Sequence, residues 1–77
     1  MYDNYEREIK RILMNCIIKL RKVNRLTQNN FAELMDYSRE YIAKKEAQKS
    51  ISLNYLIRAI KVLDIKFYEV LTKKYHN

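Results

Sequence analysis

The chain has no glycine, no proline and no tryptophan, and it has one cysteine and one histidine among 77 residues. The lack of glycine excludes a Rossmann fingerprint and a phosphate-cradling loop, because both need backbone conformations that glycine supplies. Cys16 alone supports neither a disulfide framework nor a paired-cysteine metal site. His76 alone makes a catalytic triad hard to build. We therefore expect no enzyme activity, no cofactor, no metal and no small-molecule ligand.

Long apolar runs are also missing. No run approaches the roughly 18 residues that a membrane span requires. Residues 1–4 are polar and acidic, which is unlike a secretory signal peptide. These features predict a single cytoplasmic domain over residues 1–77 with no membrane partner.

Positive charge is in excess, with 16 Lys and Arg residues against 9 Asp and Glu and a formal net charge of +7. Such a balance predicts an anionic partner, with nucleic acid first and a membrane surface second. The membrane surface is set aside because the apolar face of the first helix is better explained by packing within the core. The alternative is a solvated basic surface without a specific partner. A domain this small buries only about 60% of its unfolded surface, so dimerisation would help its stability.

Apolar spacing predicts an all-α protein of five helices, since no stretch alternates as a strand does. The first helix spans about residues 5–23, and it includes Cys16 as a buried small hydrophobe. Its predicted apolar stripe consists of Ile9, Ile12, Leu13, Cys16, Ile17 and Leu20. Thr27, Ser38 and Ser52 are N-cap residues. They predict a helix pair within 27–47 (28–35 and 39–47) and a helix over 53–63, followed by a last helix over 67–74.

The last predicted helix has more apolar and aromatic area than one small core needs. The excess predicts a dimer surface, with Tyr68, Leu71 and Tyr75 as the interface residues. The alternative is that this helix only closes the core, which accounts for Phe67, Val70 and Leu71 but less well for the two tyrosines.

The two short helices and the tight turn between them form a helix-turn-helix. The motifs over about residues 17–71 resemble those of the Cro/CI-type (Xre) helix-turn-helix family, and they are Leu20-Arg21-Lys22, Leu26-Thr27-Gln28, Ala32-Glu33-Leu34, Ser38-Arg39 with Ile42, Glu46, and Ser52-Leu53 with Leu56. The resemblance implies a compact five-helix lambda-repressor-like DNA-binding domain that is usually dimeric and regulates transcription.

Within that family, the chain is somewhat similar to the controller proteins of restriction–modification systems, while phage-type repressors and antitoxins remain alternatives. Three positions depart from the family pattern. Asp36 and Gln48 stand where glycine is usual, and Lys45 stands where an apolar residue is usual. Asp36 tolerates the left-handed backbone of such a turn better than most residues.

In a helix-turn-helix the second helix enters the major groove, and its first residues reach base edges. Arg39 can donate two hydrogen bonds to guanine, and we expect it to be the main base reader. The base-contacting set is Arg39, Glu40, Tyr41 and Lys44. The N-termini of these helices present free amides and partial positive charge to a phosphate, and the resemblance implies a phosphate contact for Gln28. The DNA backbone should also pass the chain just after the second helix. The phosphate-contacting set is therefore Thr27, Gln28, Asn29, Ser38, Lys49 and Ser50.

The resemblance also implies a structural ion pair between Arg21 and Glu46. Together these features predict a homodimeric, sequence-specific regulator that binds a palindromic operator in double-stranded DNA. The alternative is a protein-binding module on the same scaffold, such as the antitoxin of a toxin–antitoxin pair.

Overall fold

The computed structural model describes residues 2–63, and this part of the chain is all-helical. Four helices follow one another: α1 over Tyr2–Val23, α2 over Gln28–Met35, α3 over Arg39–Gln48 and α4 over residues 53–63. The all-α prediction is therefore confirmed for these residues. The predicted helix over 67–74, with its interface residues Tyr68, Leu71 and Tyr75, lies outside the described residues.

Hydroxyl caps start three of the helices. The Thr27 hydroxyl accepts a hydrogen bond from the Asn30 amide at 3.0 Å. The Ser38 hydroxyl accepts one from the Tyr41 amide, and Ser52 does the same for Tyr55 at 3.1 Å. Each cap satisfies an amide that the first helical turn leaves without a partner. Local sequence chemistry therefore fixes where α2, α3 and α4 begin.

The turns use left-handed backbone without any glycine. Arg25, Asp36 and Lys49 have φ angles of 59°, 60° and 52°. Asp36 ends α2 in the conformation expected of it, and Lys49 ends α3. Gln48, which stands where the family usually has glycine, is the last residue of α3, and the left-handed turn falls on the next residue. The left-handed region costs a non-glycine residue about 1–2 kcal/mol.

The core lies between all four helices. Its fully buried side chains are Met14, Phe31, Met35, Ile42 and Tyr55. They come from all four helices, which explains why no single helix is buried all round. The burial of apolar surface is the main stabilising contribution to such a core, at about 25 cal/mol per Å².

The buried face of α1 differs from the predicted stripe. Met14, Ile17 and Arg21 face the core, whereas Ile9 and Ile12 are 52% and 48% exposed. Cys16 is exposed as well, so the prediction that it is buried is wrong. The reason is Arg21, which is paired with Glu46 inside the fold. A charged residue therefore occupies a core position of α1 that hydropathy assigns to solvent.

Two apolar helix surfaces consequently stay exposed in the described part of the chain. On α1 the surface includes Ile9 and Ile12, and on α4 it includes Leu53, Ile57 and Ile60. We refer to them as the outer faces of α1 and α4. Their spacing, three or four residues apart, makes each a continuous stripe along its helix.

Candidate nucleic-acid interface

Helices α2 and α3 pack against each other and are joined by the three residues 36–38. Phe31 and Met35 of α2 and Ile42 of α3 are buried in the shared core. Side chains of α3 on the other side are open to solvent. The arrangement leaves the first turn of α3 exposed. The buried residues Ile42 and Glu46, which we call the inner edge of α3, hold the helix against the fold.

Three of the four predicted base-contacting residues lie on this open surface. Arg39, Glu40 and Lys44 are exposed, and Glu40 and Lys44 are one helical turn apart. Among the described residues, none of the three has an oppositely charged group within 4.0 Å. Their charges are therefore available to a partner.

Tyr41, the fourth of that set, is only half exposed because it belongs to an aromatic cluster. Its ring centroid lies 4.6 Å from that of Tyr37 and 6.4 Å from that of Tyr55. The Lys45 ammonium lies 5.4 Å from the Tyr41 ring centroid, which is a cation–π distance. Tyr41 thus packs against the fold, and only part of its surface remains open to a partner.

The cluster also ties α4 to the turn between α2 and α3. Tyr37 stacks on Tyr55 with 5.9 Å between ring centroids. The Arg58 guanidinium lies 4.6 Å from the Tyr37 ring centroid, and Nη1 donates to the Met35 carbonyl oxygen at 2.9 Å. This cluster was not predicted from the sequence. The spacing of Tyr37 and Tyr41 was a signal, but the pairing with α4 is a long-range contact that spacing does not show.

The predicted phosphate-contacting residues fall into two groups. Thr27, Gln28, Asn29 and Ser38 lie at the N-termini of α2 and α3. Lys49 and Ser50 follow the other end of α3, about 15 Å from Ser38 along a ten-residue helix. The start of α2 does not lie at the Ser38 end of α3, because Gln28 is hydrogen-bonded to Glu46 in the last turn of α3.

Several members of the first group already have hydrogen bonds inside the protein. The Thr27 hydroxyl donates to Asn30 Oδ1 at 2.8 Å and accepts from the Asn30 amide. Ser38 Oγ accepts from an amide of its own helix and keeps its proton free to donate. Asn29 is exposed. Asn29 and Ser38 therefore have more capacity for a phosphate oxygen than Thr27 has.

Gln28 belongs to a buried polar network. Arg21 and Glu46 are each 6% exposed, and Arg21 donates from Nε to Oε2 at 2.8 Å and from Nη2 to Oε1 at 3.1 Å. Arg21 Nη1 donates to the Leu26 carbonyl oxygen at 2.7 Å, and Gln28 Nε2 donates to Glu46 Oε1 at 3.0 Å. The ion pair that the resemblance implies is present and joins α1 to α3. The Gln28 hydrogen bond connects α2 to the same carboxylate.

No protein-family model matches the chain, and comparisons with curated proteins and with solved structures found no match either. The geometry of the residues themselves therefore has to carry any functional argument.

Two other kinds of site find no support in residues 2–63. Nowhere in this range do three His, Cys, Asp or Glu side chains come together as a metal ion would require. None of the helices in this range combines the length and the hydropathy of a bilayer crossing. The exposed charges around α3 are the feature that most resembles a binding surface.

Proposed function

We propose that this protein is a sequence-specific, double-stranded DNA-binding regulator that acts as a homodimer on a palindromic operator. In this proposal α2 and α3 are the helix-turn-helix, and α3 enters the major groove. One observation carries it: Arg39, Glu40 and Lys44 are exposed together on α3, while Ile42 and Glu46 of the same helix are buried. A helix that is anchored on one edge and charged on the other has the form that groove recognition requires.

The rigidity of α3 supports this assignment. Base readout needs side chains held in register, because a bidentate contact to guanine tolerates little misplacement. The Arg21–Glu46 ion pair and the Gln28 hydrogen bond to Glu46 fix α3 to both preceding helices. The aromatic cluster of Tyr37, Tyr41 and Tyr55 fixes α3 to α4 from another side.

The charge distribution supports a nucleic-acid partner rather than a neutral one. Lys44 and Lys49 are exposed on and beside α3, and the whole chain has a net charge of +7. Cations near the phosphate backbone release counterions from DNA, which supplies most of the affinity that does not depend on sequence. Asn29 and Ser38 add neutral polar groups at the helix N-termini, where phosphate contacts set orientation.

The proposed fold is the five-helix lambda-repressor-like domain, with a fifth helix over residues 67–74. This segment contains Phe67, Val70 and Leu71, and it follows closely on α4. The outer faces of α1 and α4 provide apolar surface that it would cover. Tyr68, Leu71 and Tyr75 then form the surface through which two copies associate.

Substitution of Arg39 tests the assignment of the base reader. We expect Arg39→Ala to lower discrimination at one base pair by about 1–3 kcal/mol, which is roughly 5- to 150-fold in relative affinity. Competition between duplexes that differ at single positions measures this change. The matched control is Arg11→Ala, which removes an exposed arginine that pairs with Glu8 on α1.

The control should keep the sequence preference of the native chain. An Arg39→Ala protein with unchanged preference at every position would contradict the role of Arg39. Equal loss of affinity for all duplexes would instead assign Arg39 to the phosphate backbone.

A further inference from the structure

The N-terminal part of α1 extends beyond the core and lies beside the chain that follows α3. Met14 is the first fully buried residue of α1, so about three helical turns precede it. Glu6, Arg7 and Lys10 of these turns face residues 48–50 across a cleft of about 410 Å³. We call this the basic cleft, and its lining residues are Glu6, Arg7, Lys10, Gln48, Lys49 and Ser50.

The basic cleft concentrates positive charge. Arg7, Lys10 and Lys49 contribute three positive charges, and Glu6 is the one carboxylate in the lining. Glu6 lies 3.5 Å from Lys10, which leaves Arg7 and Lys49 without a carboxylate within 4.0 Å among the described residues. Like charges that share a cleft repel one another. A bound anion would relieve that repulsion.

The chemistry of the lining fits phosphodiester groups. The guanidinium of an arginine such as Arg7 presents a planar set of donors that matches phosphate oxygens, and a lysine ammonium adds a point charge. The Ser50 hydroxyl and the Gln48 amide are neutral donors in the same cleft. Because every lining side chain is polar or charged, an apolar ligand would gain little there.

The position of the basic cleft relates it to the DNA surface. Lys49 and Ser50 form one of its walls, and they are also the phosphate-contacting residues proposed at the end of α3. A backbone strand that reaches Lys49 would therefore meet Arg7 and Lys10 on the opposite wall.

We propose that the basic cleft binds the sugar–phosphate backbone of the same duplex, so that the N-terminal part of α1 is a second DNA-contacting element. This inference rests on the proposed function. It adds Arg7 and Lys10 to the phosphate-contacting residues, and it gives the extension of α1 past the core a role in affinity rather than in sequence readout.

The test is the salt dependence of DNA binding by the full chain carrying Arg7→Gln and Lys10→Gln. Each phosphate contact contributes about 0.9 to the slope of log affinity against log salt concentration. We expect the slope to become shallower by about one to two units, with affinity roughly tenfold or more weaker near 0.15 M salt and sequence preference unchanged. Titrations of labelled duplex at several salt concentrations measure all three quantities.

Two further variants make the test specific. Lys19→Gln with Lys61→Gln removes the same charge from exposed positions outside the cleft, and this protein should keep a slope close to that of the native chain. Arg7→Lys with Lys10→Arg keeps the charge and should also keep the slope. Helical content and the unfolding midpoint, measured on each variant, show that the fold is unchanged.

The outcomes separate this inference from the proposed function. If the native chain binds duplex DNA with a sequence preference and the Arg7→Gln/Lys10→Gln slope equals that of the Lys19→Gln/Lys61→Gln control, the basic cleft is overturned and the proposed function stands. If the native chain binds no duplex, both are overturned. A slope lowered only in the cleft variant supports the basic cleft, and it supports the proposed function as well where the native chain prefers one sequence.

Discussion

The inner edge of α3 and the outer faces of α1 and α4 differ in whether their side chains have partners of the same chemical kind, polar for polar and apolar for apolar. The inner edge of α3 contains a carboxylate, Glu46, yet its oxygens are bonded to Arg21 and Gln28. The outer faces contain isoleucines such as Ile12 and Ile60, and these are about half exposed in the described part of the chain. The buried carboxylate therefore has hydrogen-bond partners, whereas no described residue covers the apolar side chains.

The contrast shows what amphipathic spacing does and does not determine. Spacing says that a helix has an apolar face, but it does not say which neighbour covers that face. Arg21 is buried because it meets Glu46, which is 25 residues away in sequence. Ile12 is exposed because no described element packs over it. Each prediction below tests one side of this contrast.

The largest expected effect is at Glu46, on the inner edge of α3. Glu46→Ala leaves the Arg21 guanidinium buried without its counter-charge, so we expect the free energy of unfolding to fall by about 3–5 kcal/mol. Urea unfolding followed by circular dichroism measures the loss. Glu6→Ala, which removes the exposed pair with Lys10, is the control and should cost less than about 1 kcal/mol.

A replacement of both charges keeps this test interpretable even if Glu46→Ala does not fold. Arg21→Met together with Glu46→Leu removes the charges as a pair, and we expect most of the lost stability to return. Similar losses for Glu46→Ala and Glu6→Ala would contradict the structural role of the buried pair.

A smaller effect is expected at Ile12, on the outer face of α1. If residues 67–74 cover the outer face of α1 as proposed, Ile12→Asn buries a polar amide and loses apolar burial. We then expect a cost of about 1–2 kcal/mol. Val23→Asn, at the far end of the helix and 69% exposed, is the control and should change stability by less than about 0.5 kcal/mol.

Equal, small effects of Ile12→Asn and Val23→Asn would show that the outer face of α1 is solvated in the monomer. Such a result would argue against the fifth helix in its proposed position while leaving α2 and α3 untouched.

Tyr55 offers a smaller effect of opposite sign. Its side chain is fully buried, and its hydroxyl has no hydrogen-bond partner among the described residues. Removing an unsatisfied buried hydroxyl lowers the desolvation penalty, so we expect Tyr55→Phe to stabilise the fold by about 1 kcal/mol. Thermal or urea unfolding measures the gain.

The pH dependence of that gain follows from the same burial. Burial, with a contribution from the Glu46 carboxylate, raises the pKa of Tyr55 well above its usual value of 10. Above pH 10 the unfolded chain loses the phenol proton and the folded chain keeps it, so folding stability falls as pH rises. The advantage of Tyr55→Phe should therefore grow above pH 10. A constant or shrinking advantage would mean that the pKa of Tyr55 is not raised in the folded chain and that its hydroxyl reaches solvent.

Local chemistry predicted the parts of the fold that depend on neighbouring residues. Thr27 and Ser38 cap helices because their hydroxyls reach an amide three residues on. Asp36 takes the left-handed turn because the chain has no glycine to offer. The exposure of Arg39 and Lys44 also followed from the low hydropathy of their helix.

Contacts between distant residues were not predictable in the same way. The partial burial of Tyr41 depends on Tyr37 and Tyr55 together, and the exposure of Cys16 depends on which face of α1 Arg21 selects. The basic cleft joins residues that are about 40 positions apart along the chain. Spacing within a single helix contains no information about such partners.

Selection from a random duplex pool at near-physiological salt is the best test of whether α3 reads DNA sequence in a dimer. We expect enrichment of a palindrome whose half-sites lie about ten base pairs apart, because a two-fold dimer places its recognition helices one turn of the DNA helix apart. Binding without enrichment of any sequence would contradict sequence readout by α3. It would leave only the non-specific electrostatic attraction and would favour a protein partner.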